Sequence, residues 1–88
     1  MYAYITTATT TQAYTGKAKR VLITANSALT GTIKVIDGVS GTTANVATIT
    51  NPTVGSSYLY YNFNSGVRIV TSDACDITVN VDTTRGIL

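Results

Sequence analysis

Few side chains of this sequence could carry out acid–base or nucleophilic chemistry. The chain of 88 residues has no histidine, and its single cysteine is Cys75. Without histidine, neither the Ser-His nor the Cys-His arrangement can activate a nucleophile, and histidine-ligated catalytic metals have no ligands. A closed zinc site also lacks a ligand set. The composition therefore predicts a protein without enzymatic activity, metal or cofactor.

Three local patterns come closest to a reactive site, and each has a simpler interpretation. Residues 38–42 (GVSGT) resemble a nucleophile elbow around Ser40, but the glycine two positions after the serine is missing, so we interpret them as a turn. Cys75 has no basic neighbour in the sequence and is expected to be an inert, small apolar residue. Asp73 and Asp76 could contribute oxygens to a calcium site, although we favour turn and strand-end positions for them.

Charge is sparse and nearly balanced. Charged residues are 11% of the chain against about 25% in an average soluble domain, and the net charge is +2. The only basic cluster, residues 17–20 (KAKR), is too small to predict nucleic-acid binding. We interpret it as a solvated strand entrance or a gatekeeper against aggregation, with an ion pair to a neighbouring subunit as the alternative. No stretch is apolar enough to predict a membrane helix, and the segment after Met1 has no leader-like pattern, which predicts assembly inside a cell.

The elements that would position these residues are strands. Thr, Val, Ile and Tyr dominate, and glutamate is absent. Apolar residues alternate with polar ones between recurrent turn signals, which predicts a single all-β domain over 1–88, a small β-sandwich or barrel of about six to seven antiparallel strands. The predicted strands are 19–25, 31–37, 44–50, 58–63, 66–72 and 75–82. Residues 1–16 are predicted to be either an N-terminal arm or an edge strand at 2–7, and residues 83–88 a C-terminal tail.

The alternation also predicts which side chains are buried. In the strand 19–25, Val21, Ile23 and Ala25 share one face, and Leu22 lies on the other. In the turn 64–66, Gly66 is expected to adopt the left-handed conformation. The predicted core consists of Val21, Ile23, Ile33, Val35, Val46, Ile49, Leu59, Val67, Ile69, Ile77, Val79 and Val81.

A domain this small is marginally stable unless a disulfide, a metal or association with other subunits supports it. Since the composition excludes the first two, we expect association with other protein subunits. Tyrosines suit interfaces because they combine an apolar ring with a polar end. The alternative is that Tyr61 and Phe63 are core and the other tyrosines lie on an ordinary surface. The candidate assembly contacts are Tyr2, Tyr4, Tyr14, Lys17, Lys19, Arg20, Tyr58, Tyr60, Ile87 and Leu88.

Two segments, VLITANSALTGTIKVIDG (21–38) and TTANVATITNP (42–52), resemble the short β-rich virion proteins of tailed bacteriophages, including the capsid decoration (cement) proteins. The resemblance lies in the general character of the sequence over roughly residues 17–82, with Thr/Val/Ile strands and few charges, and not in a specific motif. It implies a structural protein of the virion, assembled in the host cytoplasm, that binds the outer surface of a capsid shell, often as a trimer, and stabilises it. Two alternatives remain open: a tail, connector or fibre component, and a free-standing module that binds a small ligand or a glycan.

Overall fold

The computed structural model describes residues 2–40 and 45–83, and these residues form strands and turns without any helix. The prediction of an all-β domain is confirmed, with eight strands where six to seven were expected. In chain order the strands are β1 Tyr2–Ile5, β2 Thr9–Thr15, β3 Ala18–Ala25, β4 Thr32–Asp37, β5 Asn45–Thr50, β6 Ser57–Phe63, β7 Gly66–Thr71 and β8 Ile77–Thr83.

The strands form two antiparallel sheets that enclose a common core. Sheet A has the order β1-β8-β3-β6, and sheet B has the order β2-β7-β4-β5. The pairs β1·β8, β2·β7, β3·β6 and β4·β5 are nested, so the first half of the chain runs antiparallel to the second half like one long hairpin. Two further pairs, β3·β8 and β4·β7, appear when this hairpin is rolled up. The result is a jelly-roll sandwich, so of the two predicted architectures the sandwich is observed and the barrel is not.

The N-terminal segment belongs to both sheets. β1 pairs with β8 at the edge of sheet A, with Ala3 opposite Val79. β2 pairs with β7 at the edge of sheet B, where a bulge at Ala13 interrupts the register. Of the two alternatives for residues 1–16, the structure therefore has the edge strand and not the arm. A second edge strand, β2, follows the first. Thr83 ends β8, and the remainder of the predicted tail lies outside the described residues.

The core agrees with the predicted side chains except at two positions, Val46 and Leu59, which are 44% and 46% exposed. Leu59 faces outward because its neighbours Tyr58 and Tyr60 take the core side of β6. Val46 lies between the two β5 residues that pair with Val35 and Ile36, at an irregularity that shifts the register. The core also includes buried residues outside the predicted core list: Ile5, Ala13, Ala18, Leu29 and Phe63. Phe63 was expected there only in the alternative that also placed Tyr61 in the core, and Tyr61 is 57% exposed.

Gly66 is required for a different reason from the one predicted. Its backbone is not in the left-handed region, which the glycines Gly16, Gly31 and Gly55 occupy among the described residues. Instead, a Cβ atom at Gly66 would lie 2.8 Å from the carbonyl oxygen of Tyr14 and 2.9 Å from that of Gly38. The absence of a side chain allows three backbone segments to meet at the start of β7.

Candidate functional site

The reactive-looking residues are in positions that do not favour catalysis. Cys75 is half-buried, and its thiol donates a hydrogen bond of 3.4 Å to the carbonyl oxygen of Ile5. Burial raises the pKa of the Cys75 thiol; a hydrogen bond with Thr71 opposes this, and the negative charge of Asp76 adds to it. The thiolate, which is the nucleophilic form, is therefore scarce at neutral pH. Ser40 is exposed, and the two residues after it in the elbow-like pattern lie outside the described residues.

The two neighbouring aspartates have separate partners. Asp76 accepts a hydrogen bond of 3.2 Å from Asn26. It also interacts with Tyr4: a hydrogen bond to the carboxylate, then burial and the negative charge, raise the pKa of the phenol. Asp73 accepts from the hydroxyl of Ser72 at 3.4 Å. Over residues 2–40 and 45–83, no three His, Cys, Asp or Glu side chains come together as a metal site would need.

The most unusual surface is the side of sheet A that faces away from the core, here called the outer face. Alternation along the strands brings its side chains into cross-strand rows. One row runs from Tyr2 through Asn80 and Leu22 to Leu59, and a second joins Asp82, Arg20 and Tyr61. A third row consists of hydroxyl-bearing residues: Tyr4, Thr78, Thr24 and Ser57.

Apolar side chains occupy the part of the outer face that β3 and β6 form. Leu22 and Leu59 lie directly opposite each other on β3 and β6. They line an open depression of about 470 Å³ together with Arg20, Asn80, Val81 and Asp82. The same face carries two large exposed side chains, Tyr61 (57% exposed) in the adjacent row and Tyr2 (69% exposed) beyond Asn80. Exposed apolar and aromatic side chains on one face are a composition that protein-binding surfaces also have.

One ion pair borders the depression. The guanidinium group of Arg20 binds the carboxylate of Asp82, with Nε donating to Oδ2 at 3.0 Å and Nη2 also contacting that oxygen. About half of each side chain is exposed, so the pair contributes little to stability. Its donors and acceptors are therefore accessible to a partner that binds over the depression.

The outward side of sheet B has a different character. One of its rows contains Thr10, Val70, Lys34 and Thr48, which are mainly polar. A polar network also ties the connection after β4 to this side: Arg68 donates to Gln12 and to the carbonyl oxygen of Val39, each at 3.1 Å. Gln12 in turn donates to the carbonyl oxygen of Gly38 at 2.9 Å. This side is thus solvated and partly covered, which distinguishes it from the outer face of sheet A.

The predicted assembly contacts lie in different parts of the structure. Tyr2, Tyr4 and Arg20 lie on the outer face. By contrast, Tyr14, Tyr58 and Tyr60 pack partly against the core, and burial, with a smaller effect of Tyr58, raises the pKa of Tyr60. The remaining predicted contacts are Lys17 and Lys19, which are exposed where β3 begins, and Ile87 and Leu88, which lie outside the described residues.

Sequence reasoning missed three residues of the outer face: Leu22, Leu59 and Tyr61. Leu22 was assigned to the face opposite Val21, which is where it lies, but its apolar character there was not recognised as a signal. Alternation predicted Leu59 in the core, and this prediction is wrong because Tyr58 and Tyr60 occupy the core side of β6. An aliphatic residue on an otherwise polar strand face is the pattern that could have identified the site.

Comparisons of the chain with protein-family models, with curated proteins and with solved structures found no match. Within the part of the chain that the structure describes, no helix is long and apolar enough to cross a membrane.

Proposed function

We propose that this chain is a non-enzymatic structural subunit that binds other protein subunits through the outer face of sheet A. The observation that carries the proposal is the Leu22–Leu59 pair, in which Leu22 is half-buried and Leu59 is 46% exposed, on a face that no described segment covers. Exposed Tyr61 lies in the adjacent row, and exposed Tyr2 lies beyond Asn80 in the same row. An exposed apolar surface of this kind costs solubility in a monomer, and binding to a partner removes it from water.

The charge distribution supports a protein partner over a nucleic acid. Arg20 is the basic residue within the depression, and Asp82 already neutralises it. Nucleic-acid binding needs several uncompensated cations to neutralise phosphates. A partner with an apolar protrusion and a few polar groups at its margin fits the outer face better.

For the identity of the partner we propose the outer surface of a virion capsid shell, which the protein would decorate and stabilise. Two arguments support it: the sequence resembles virion proteins of tailed bacteriophages, and the jelly roll is an architecture that viral capsid proteins use. The second argument is an analogy of fold, and the same fold hosts other functions. A tail, connector or fibre position on the particle is the closest variant of this proposal.

A second candidate function is glycan binding. The depression places the polar side chains Asn80, Asp82 and Arg20 beside apolar ones, and jelly rolls also occur among lectins. A sugar would use the polar groups for hydrogen bonds and the ring of Tyr61 for stacking. The two functions predict different effects of substitutions within the same depression.

Cosedimentation with purified candidate capsids tests the proposal. The wild-type protein should pellet with its shell, and Leu22→Lys should lower the affinity at least about tenfold, since it places a charge in an apolar interface. Thr10→Lys, on the outward side of sheet B, is the matched control and should bind like wild type. Equal binding by wild type and Leu22→Lys would contradict the proposal. For the glycan alternative, the wild-type protein should bind on a glycan array, and Asn80→Ala should abolish that binding.

A further inference from the structure

The edge strands of this protein lack the charges that usually protect such edges. The four edges are β1 and β6 of sheet A, and β2 and β5 of sheet B. An edge strand exposes unpaired N–H and C=O groups, and natural proteins usually block it with lysine, proline, a bulge or a short length. Here every charged residue that lies in a described strand is in an interior one: Lys19, Arg20, Lys34, Asp37, Arg68 and Asp82.

Three of the four edges are protected in another way. β1 has 4 residues, which gives an added strand little to pair with. β2 is interrupted by the bulge at Ala13, and β5 by the irregularity at Val46. A bulge twists an edge away from a flat approach and breaks the ladder.

β6 is the edge without such protection. Its register with β3 runs from Ser57 opposite Thr24 to Phe63 opposite Ala18 without a shift. It contains no charge and no proline. Its regular part ends before Asn62, whose backbone adopts a left-handed φ of 62°. Residues 57–61 therefore present a straight, uncharged ladder at one border of the outer face.

We infer that β6 joins two copies of this chain, antiparallel to each other, about a two-fold axis at Leu59. This inference extends the proposed function. It rests on that function in one respect, namely that the protein is an assembly subunit. Two identical residues, Tyr58 and Tyr60, flank Leu59 in this stretch. A two-fold axis at Leu59 places this residue opposite its own copy. Ser57 then lies opposite Tyr61, and Tyr58 lies opposite Tyr60.

A second copy fits this edge because each side chain meets a compatible one. Two-fold pairing brings a strand against itself, so any charge near the axis would face a like charge. β6 has none, and aromatic cross-strand pairs such as Tyr58 with Tyr60 stabilise antiparallel ladders. The 4-stranded sheet A of one copy and that of the other copy would become one continuous sheet. The paired Leu22 and Leu59 side chains of both copies would then form one larger apolar surface.

A two-fold contact is also closed, which favours a second copy of this chain as the partner of β6. A two-fold contact uses both β6 edges and leaves neither open, so the assembly does not grow into a fibre. Pairing with a strand of a different protein would use one edge alone, and it would not pair Tyr58 of one copy with Tyr60 of the other.

Light scattering and a cysteine cross-link test the inference. The wild-type protein should have twice the 9.2 kDa mass of one chain. In a Cys75→Ala background, Leu59→Cys should form an intermolecular disulfide in mild oxidant, since directly opposed residues of an antiparallel pair lie within disulfide reach. Val54→Cys in the same background is exposed in the connection before β6, outside the paired residues 57–61, and it should stay reduced. A monomeric or trimeric mass, or equal cross-linking at both positions, would overturn the inference.

Two charged variants separate this inference from the proposed function. Leu59→Lys places like charges at the axis and should give a folded monomer, because Leu59 is exposed. Leu22→Lys lies one strand away from the edge, and it should remain a dimer while it loses shell binding. A dimeric Leu59→Lys protein would refute pairing through β6, whatever the outcome of the shell-binding experiment.

Discussion

The Oδ1 atom of Asp37, at the end of β4, accepts a hydrogen bond of 2.8 Å from the backbone N–H of Ser65. Asn64 donates to the other carboxylate oxygen at 2.9 Å, and Gly66 donates to Oδ1 at 3.3 Å. One side chain thus holds three consecutive N–H groups of the turn between β6 and β7. The interaction links a strand of sheet B to the connection between the two sheets.

The first prediction is that Asp37→Asn destabilises the fold by about 1–2 kcal/mol at pH 7, because a neutral amide accepts these hydrogen bonds less strongly. Burial alone would raise the pKa of Asp37, but the three backbone donors hold it below its ordinary value of 3.8. The stabilisation is therefore complete at neutral pH and is lost as the pH falls below about 4 and through the folded-state pKa. Urea unfolding of both proteins at pH 7 and pH 3 measures this difference. The difference in stability between wild type and variant should be smaller at the lower pH, and a constant difference would contradict the assignment.

The second prediction concerns the close approach at Gly66. Gly66→Ala should cost about 1–3 kcal/mol, because its Cβ would overlap two backbone carbonyl oxygens that cannot move independently. Gly38→Ala is the matched control, since a Cβ there meets its nearest atom at 3.8 Å. Thermal unfolding followed by circular dichroism should show a lower midpoint for Gly66→Ala alone. Equal midpoints for the two variants would show that the backbone relaxes around position 66.

The third prediction tests the core between the sheets. Ile77 is fully buried, and Ile77→Ala should cost about 2–4 kcal/mol through lost burial and the cavity that remains. Val46→Ala removes an aliphatic side chain that is 44% exposed, and it should change stability by less than about 1 kcal/mol. Chemical denaturation of the two variants compares them directly. Similar losses would mean that Val46 is covered, for instance by an associated subunit.

The fourth prediction is that Cys75 reacts slowly with iodoacetamide at pH 7. Its raised pKa and its hydrogen bond to Ile5 both disfavour the thiolate. The rate should rise at least about tenfold when the protein is unfolded in urea at the same pH. Rapid stoichiometric alkylation of the folded protein would instead identify Cys75 as an activated thiol.

The fold class could be predicted because alternation is a local property of a strand. Ile77, Val79 and Val81 alternate with polar residues, and their burial followed from that pattern. The strand β2 could not be predicted, since its threonines suit either face and the bulge at Ala13 breaks the period. The nested strand order is a long-range property that no short window of sequence contains.

The candidate site was harder to predict than the core. Tyr2, Tyr4 and Arg20 were expected to be contacts, but the opposition of Leu22 and Leu59 depends on the register of β3 with β6. Alternation does not say which face of a strand meets the core, and so the prediction placed Leu59 on the wrong side of its strand. For Ile87 and Leu88 the expected role stays a prediction.

The nested pairing of the strands has a consequence for how the protein is made. Tyr2, near the start of the chain, pairs with Asn80, near its end, and β8 is the only described neighbour of β1 in sheet A. Contacts between residues so distant in sequence slow folding, because loop closure must precede any stabilising contact. During synthesis, β1 and its tyrosines have no strand to pair with until β8 has left the ribosome. Sheet A is therefore expected to be completed only after β8 has been synthesised.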